Sequence, residues 1–254
     1  MVAAAKDFLK IYWPLVLVAF AGLVLTLMLM DPAPPKTIRF AAGSPGGAYY
    51  AYAERYQRLL GEQDVNVTLI QTAGSVENLR LLDEGSADVA LVQGGLATLG
   101  DAESLRSLGG LFHEPFWVFV RDEAGVKDFG QLRDLRMAIG PDGSGTRLLA
   151  LDLQNEFDGV WPAASRNSLT GIAAADALIE GKLDAAAFAA SPDAVYVQTL
   201  LRAPGISLLP FERAEALSRR QPALAAVVLL RGVVDIGADL PAHDVSLVAP
   251  VAQL

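Results

Sequence analysis

The sequence predicts an α/β fold built of two similar halves, preceded by a single apolar helix. Two observations carry this. Across residues 37–254, short apolar runs of strand length alternate with stretches whose apolar residues recur at helical spacing, the pattern of parallel βαβ units. In both halves a strand runs into a Gly/Ser-rich turn and then a helix, first at Gly43-Ser44-Pro45-Gly46-Gly47 and again at Gly140-Pro141-Asp142-Gly143-Ser144-Gly145-Thr146. No residue repeat of fixed period is visible; what recurs is the architecture.

The N-terminal element comes first. Ile11–Met30 runs twenty residues without a charge, which as a helix is about 30 Å, the thickness of a bilayer's hydrocarbon core. Tyr12 and Trp13 stand where an interfacial aromatic belt would hold them, and Pro14 falls in the expected first turn, where its missing N–H costs little. A secretory signal has a shorter apolar core, of about 7–15 residues, and a small-residue cleavage site. This run is longer and gives way to Asp31-Pro32-Ala33-Pro34-Pro35. An uncleaved anchor in the lipid bilayer is therefore expected, with residues 1–10 as its tail and 31–36 as a stiff spacer. Lys6 and Lys10 before the run nearly balance Lys36 and Arg39 after it, so charge alone leaves the orientation open.

In the first half, Thr37–Ala42 reads as a buried strand ending in the turn at Gly43. From Tyr49 the stripe Tyr49, Tyr52, Ala53, Tyr56, Leu59 and Leu60 is helical, and Gly61 stops it. Val65–Gln71 reads as a strand, Ala73-Gly74-Ser75 as a turn, and Val76, Leu79 and Leu82 mark a short helix before an apolar strand at Ala87–Val92. The second half opens with a strand at Phe116–Val120 and a connecting helix at Lys127–Leu135. Arg136–Ile139 is a strand running into the second Gly-rich turn, and Thr146–Glu156 is a helix. Helices at Ile172–Ile179 and Ala194–Leu201 and strands at Leu183–Phe188, Ile206–Leu209 and Val245–Ala249 complete the expected set.

Composition narrows the chemistry. There is no cysteine, which removes disulfides, thiolate nucleophiles, iron–sulfur clusters and Cys-based zinc sites, and only His113 and His243 supply imidazole. The formal net charge is -9, and because residues 1–36 hold three Lys and two Asp, the remainder carries 17 basic and 27 acidic residues. Such a surface does not suit a nucleic-acid partner, since nothing on it would release counterions along phosphate. Nor would it lie flat on an anionic leaflet.

The chemistry left is main-chain anion binding. The first four N–H groups of a helix have no internal partner, the helix dipole reinforces them, and glycine lets a ligand approach the backbone. Ser44 to Gly47 would supply such donors in one half and Gly143 to Thr146 in the other. Ser75 and Asn78 would add a third helix start near the first. In doubly wound sheets ligands sit beyond the carboxyl ends of strands, so these turns are expected to face one cleft and grip a small carboxylate or similar anion. No cofactor is expected.

Four blocks, GSPGGAYYAYAERY, TAGSVENLRLLDEGSADVALVQGG, EPFWVFV and MAIGPDGSGTR, closely resemble the TAXI-type solute receptors of tripartite ATP-independent periplasmic (TRAP) transporters, in order and spacing. The resemblance spans about residues 37–254. It implies a two-lobed, type II periplasmic-binding-protein-like fold closing on a small organic acid or an amino acid such as glutamate, with TRAP membrane subunits as partners. Carried over motif by motif, Ser44, Gly46, Gly47, Tyr49 and Tyr50 would line the pocket from the first lobe, with Ser75, Asn78 and Gln93 nearby. Ser144, Gly145 and Thr146 would answer from the second. Residues 37–120 would form the first lobe, 121–243 the second, and 244–254 the return crossing, with Phe116–Arg121 as the first crossing. The protein would then sit in a bacterial inner membrane with its folded part in the periplasm. Two departures stand out. Free receptors of this family are secreted, whereas this sequence keeps an apolar N-terminal run. The sequence also ends within VSLVAPVAQL, where family members continue, so a fragmentary reading frame is expected; sequencing the frame beyond residue 254 tests that.

Enzyme motifs fit less well. Ala42-Gly43-Ser44-Pro45-Gly46 has Ala where a nucleophile elbow has Gly and no evident histidine base. Thr146 stands where a Walker A loop needs Lys, and no G-x-G-x-x-G follows a strand. Asp83 and Glu84 read as a solvated helix end. The alternative from another class is a ligand-sensing input module beside a signalling protein; a neighbouring gene for a TRAP membrane subunit, against one for a kinase or cyclase, separates the two.

Overall fold

The computed structural model describes residues 2–29, 36–96, 105–157, 162 and 165–254, and divides the chain into two compact units, Met1–Lys36 and Thr37–Leu254. The first unit is helix α1 (Val2–Leu29). Because it starts at Val2 and not at Ile11, Pro14 lies inside it, where one backbone hydrogen bond of the helix is forfeited. Side chains of α1 are described from Tyr12 to Met28, and apart from the half-buried Val24 all are exposed. Over the described residues no helix is long and apolar enough to cross a membrane. The expected span, Ile11–Met30, overruns that stretch at both ends, and the Asp31–Pro35 spacer lies outside the described residues.

The second unit begins with β1 (Thr37–Gly43), α2 (Ala48–Gly61), β2 (Asn66–Gln71), α3 (Ser75–Asp83), β3 (Val89–Ala90), β4 (Val92–Gln93) and β5 (Gly110–His113). β1 is the middle strand of a parallel sheet ordered β2-β1-β3, with Phe40 opposite Leu69 on one side and Val89 on the other. Its run Phe40-Ala41-Ala42 is buried, as a strand covered on both faces requires. The apolar stripe of α2 packs over it, Tyr56 stacking on Phe40 at 5.9 Å between ring centroids.

The chain continues through β6 (Phe116–Arg121), a 3-10 turn at Phe129–Leu132, β7 (Met137–Ala138), α4 (Gly145–Glu156), β8 (Arg166–Asn167), α5 (Gly171–Ile179), β9 (Ala185–Ala189), α6 (Val195–Arg202), β10 (Ile206–Leu208), α7 (Ala214–Arg220), β11 (Leu224–Leu229) and β12 (Val245–Gln253). The second sheet runs β10-β6-β9-β7-β8; β7, β8 and β9 are parallel, while β6 is antiparallel to both β9 and β10. The architecture is therefore α/β with mixed sheets. β6 enters from the other half instead of closing a βαβ unit, so no crossover helix fixes its direction. The large core lies here, around Trp117, Phe119, Phe129, Phe188 and Leu153.

Two segments pass between the halves. The chain leaves the first half at Glu114-Pro115, between β5 and β6. It returns along β12, which pairs with β11 from Val245 to Pro250 and then with β5 and β4 from Val251 to Gln253. The Glu114 N–H donates to the Pro250 carbonyl (2.9 Å), tying one passage to the other. Phe116–Arg121, expected as the crossing itself, pairs within the second sheet.

A sparse residue-level correspondence links the two halves, though without a fixed period. Gly43 and Gly46 correspond to Gly140 and Gly143, all four at positive φ between 76° and 84°. The Gly47 N–H donates to Ser44 O as the Ser144 N–H does to Pro141 O. Arg39 and Asp88 form a paired guanidinium–carboxylate contact, Asp88 also accepting the Arg39 N–H, and Arg136 and Asp184 reproduce it. Glu84-Gly85-Ser86-Ala87-Asp88 and Glu180-Gly181-Lys182-Leu183-Asp184 end α3 and α5 with the same hydrogen bonds. Four residue types carry the pattern (Gly, Arg, Asp and Glu), too sparse to stand out by eye.

Other differences are local. Lys127–Leu135 contains a 3-10 turn, not a helix, and Ala87–Val92 breaks into β3 and β4. β5, β8, α7 and β11 have no counterpart among the expected elements.

Candidate functional site

Four helix N-termini of the second unit meet at one place. Gly47, Gly74, Ser144 and Thr170 are the N-cap residues of α2, α3, α4 and α5, and all four line one cavity of about 130 Å³. None of the caps on α2, α3 or α5 is closed by its own side chain. The Ser144 Oγ does close α4, accepting the Arg147 N–H (3.2 Å) and donating to Pro141 O (2.8 Å). That leaves the Gly145 and Thr146 N–H groups as the outward donors of α4. The Thr146 hydroxyl accepts the Ala189 N–H at 3.0 Å, fastening α4 to the end of β9.

The two halves touch across the cavity rim. Val76 N–H donates to Gly143 O at 3.2 Å, and a Cβ on Gly74 would lie 3.4 Å from the Ser144 Cα. Gly145 is packed so closely that a Cβ there would fall 2.6 Å from Gln93 Oε1 and 3.1 Å from Ser75 Oγ. Only a residue without a side chain keeps this corner open.

Of the residues singled out in the sequence, Ser44, Gly47, Tyr49, Ser75, Gln93, Ser144, Gly145 and Thr146 line the cavity. Three lie off it. Gly46 borders a neighbouring cleft with Tyr52, Arg55 and Asp193. Tyr50 packs on the small core around Phe40. Asn78, fully buried, accepts from the Thr72 hydroxyl (2.5 Å) and donates to Leu91 O (2.7 Å), so its amide holds α3 to the sheet. Arg147 is engaged with Gly140 O and Asp142 on the turn itself.

Sequence reasoning missed Glu114, Thr170, Ala189, Ala190 and Tyr196, which also line the cavity. Thr170 is the repeat counterpart of Gly74, so the duplicated pattern would have found it. Glu114 carries no such signal. It is 3 % exposed, and its Oε2 accepts the Tyr49 hydroxyl at 2.6 Å. Ser75 Oγ lies 3.5 Å from that hydroxyl and accepts the Gln93 N–H at 3.0 Å. Burial pushes the Glu114 carboxyl up to about 7, against the opposing pull of the Tyr49 hydrogen bond. Tyr49 is raised well above its ordinary range by burial and by Glu114, and Tyr196 is raised to about 12, first by burial and then by the charge of Glu114.

Glu114 is thus the one carboxyl among the described lining residues, and no cationic side chain faces it there. Neither histidine lines the cavity, and among the described residues no cluster of three His, Asp or Glu is placed to hold a metal ion.

Several solved structures share this architecture. The alkanesulfonate-binding protein SsuA from Xanthomonas axonopodis pv. citri, bound to MOPS, is 19 % identical with a TM-score of 0.51, over 70 % of this chain and 61 % of that one. PhnD1 from Prochlorococcus marinus (MIT 9301), in complex with methylphosphonate, is 16 % identical at a TM-score of 0.51, over 69 % and 72 %. A protein from Bordetella bronchiseptica RB50 is 19 % identical at 0.55, over 87 % and 65 %. The chain spans about three-fifths of the length of SsuA. At these identities the likeness is one of fold: two α/β lobes of the periplasmic-binding-protein kind. In sequence, residues 40–239 match one family along most of the second unit, and the chain belongs to the NMT1-like family.

Proposed function

We propose that this protein is an extracytoplasmic solute-binding protein, not an enzyme, that captures a small anionic organic solute for TRAP-type transport. The observation that carries it is the convergence of four helix N-termini, two from each half, on one cavity. Main-chain N–H groups fixed by the fold and backed by helix dipoles favour an anion without any lysine or arginine. Ser44, Gly47, Tyr49, Ser75, Gln93, Ser144, Gly145 and Thr146 are the contacts proposed. Size supports a small guest, because an apolar cavity of about 150 Å³ holds benzene. The sulfonate and phosphonate in the SsuA and PhnD1 structures fit the same donor chemistry. The resemblance of its four sequence blocks to TAXI-type receptors would make the solute a carboxylate or an amino acid such as glutamate, delivered to TRAP membrane subunits.

The exposed apolar side chains of α1, from Tyr12 to Met28, support a membrane tether that keeps the binding unit beside its transporter. Binding works by closure. Solute held by one half recruits the donors of the other, and its higher affinity for the closed arrangement shifts the population.

A thermal-shift screen of the full chain in nanodiscs, against amino acids, di- and tricarboxylates, sulfonates and phosphonates, tests this. At least one anionic class is expected to raise the unfolding temperature in proportion to log concentration. No shift from any class up to millimolar concentration would sink the assignment.

A further inference from the structure

The cavity joins two features of opposite preference. Its helix starts favour negative charge, yet its wall carries Glu114, a carboxyl on the passage between the halves. The Oε2 of Glu114 is engaged by Tyr49, while its Oε1 accepts no hydrogen bond among the described residues. Tyr196, the other titratable group whose environment registers the Glu114 charge, also lines the cavity and brings no positive charge. Where Glu114 is ionised, a purely anionic guest would meet a like charge on the same wall, with no cationic side chain among the described lining residues to offset it. A guest that brings a positive nitrogen of its own removes the conflict and completes the unused acceptor.

We infer that the solute is a zwitterion, an anionic group beside a protonated amine, and that Glu114 is the residue that receives the amine. This rests on the solute-binding function proposed above and narrows it. The anionic end would lie on the Gly145 and Thr146 donors. The amine would sit against Glu114, whose position is fixed on one side by the Tyr49 hydroxyl and on the other by its backbone bond to Pro250. Because Glu114 stands on the passage between the halves, the same contact binds the amine and braces the closed arrangement. The partial neutrality of the buried carboxyl without solute agrees with this, since an incoming ammonium would draw it to the charged form.

Calorimetric titration of the full chain in nanodiscs with matched pairs, glutamate against glutarate, aspartate against succinate and alanine against propionate, decides the matter. In the unmodified protein at least one amine-bearing member is expected to bind more than about tenfold tighter than its deaminated partner, the worth of one charge-assisted hydrogen bond. Glu114→Gln keeps an acceptor for Tyr49 but no charge, and is expected to shrink that preference to about threefold or less. Equal binding of both members by the unmodified protein overturns the inference while leaving solute binding intact, and needs no variant. A preference that survives Glu114→Gln in protein shown to melt cooperatively overturns the assignment to Glu114. If neither member of any pair binds, but a sulfonate or phosphonate does, the zwitterion is excluded and the binding function stands. If nothing binds at all, both fail together.

Discussion

At the scale of single residues, a group's contribution here depends on what surrounds it more than on its type. Glu114 holds its proton to about pH 7 in the folded chain against 4.5 as an ordinary glutamate. Between those values the folded state binds more protons than the unfolded one, so stability falls as pH rises through the window and stays low above it. The gap caps the effect at about 3 kcal/mol. Glu114→Gln has no proton to lose. Its stability relative to the parent protein is expected to improve steadily from pH 4.5 to 7.5, read as urea midpoints at each pH, and a parallel pair of curves would show that the carboxyl is not buried in solution. Gly145→Ala makes a separate point. Its Cβ would press on Gln93 Oε1 and Ser75 Oγ, so solute affinity is expected to drop at least tenfold, a loss of about 1.4 kcal/mol or more. Folding should change little, because Ala suits a helix start sterically and the crowded oxygen of Gln93 ends a flexible side chain. Unchanged affinity would remove this corner from the site.

Secondary-structure elements show why some of the fold could be read from the sequence and some could not. The turns at Gly43 and Gly140 were legible because their positive φ demands glycine and leaves a visible mark. α2 and α4 were legible through their apolar stripes. β5 was not: Gly110, Leu111 and His113 are exposed, and the strand exists because β12 pairs with it. Glu114 was hidden for a similar reason, since an acid before a proline looks like loop until the two passages are brought together. The duplicated Arg–Asp locks lay in plain view but were diluted among unrelated residues. They now give an element-level test. Asp88 and Asp184 each accept a backbone N–H and a guanidinium, and each carboxyl is held below its usual range, first by the arginine hydrogen bond. Their contribution is complete above the ordinary carboxylate range and fades as pH falls through the depressed folded value. Asp184→Asn and Asp88→Asn are each expected to cost about 1 kcal/mol at neutral pH. Asp184→Asn should cost more, its carboxylate being 25 % exposed against 41 % for Asp88. Denaturant midpoints check the order, and equal losses would mean that burial is not what separates the two locks.

For the molecule as a whole, the decisive feature is that backbone of one half meets backbone of the other at the cavity rim: Val76 to Gly143, and Gly74 against Ser144. Such a contact is short-ranged and easily broken, which suits a receptor that must open and close on its solute. It also offers a handle. A Cβ on Gly143 would stand 3.6 Å from the Ala73 Cβ, within the range that a disulfide bridges, and the chain has no cysteine to compete. The paired substitution Ala73→Cys with Gly143→Cys therefore places a removable bolt across the cavity mouth. Cysteine at the positive φ of Gly143 costs about 1–2 kcal/mol, which a reduced control carries equally. Oxidised in the absence of solute, the double variant is expected to lose binding, because the closed arrangement then excludes the guest. Oxidised after loading, it should release solute at least tenfold more slowly than the reduced form, measured by displacement of a labelled ligand. Small-angle scattering of the reduced protein should show contraction on adding solute, and the oxidised protein should show none. If the bolted protein takes up and releases solute as freely as the reduced one, the cavity has another entrance, and closure of the two halves does not control binding.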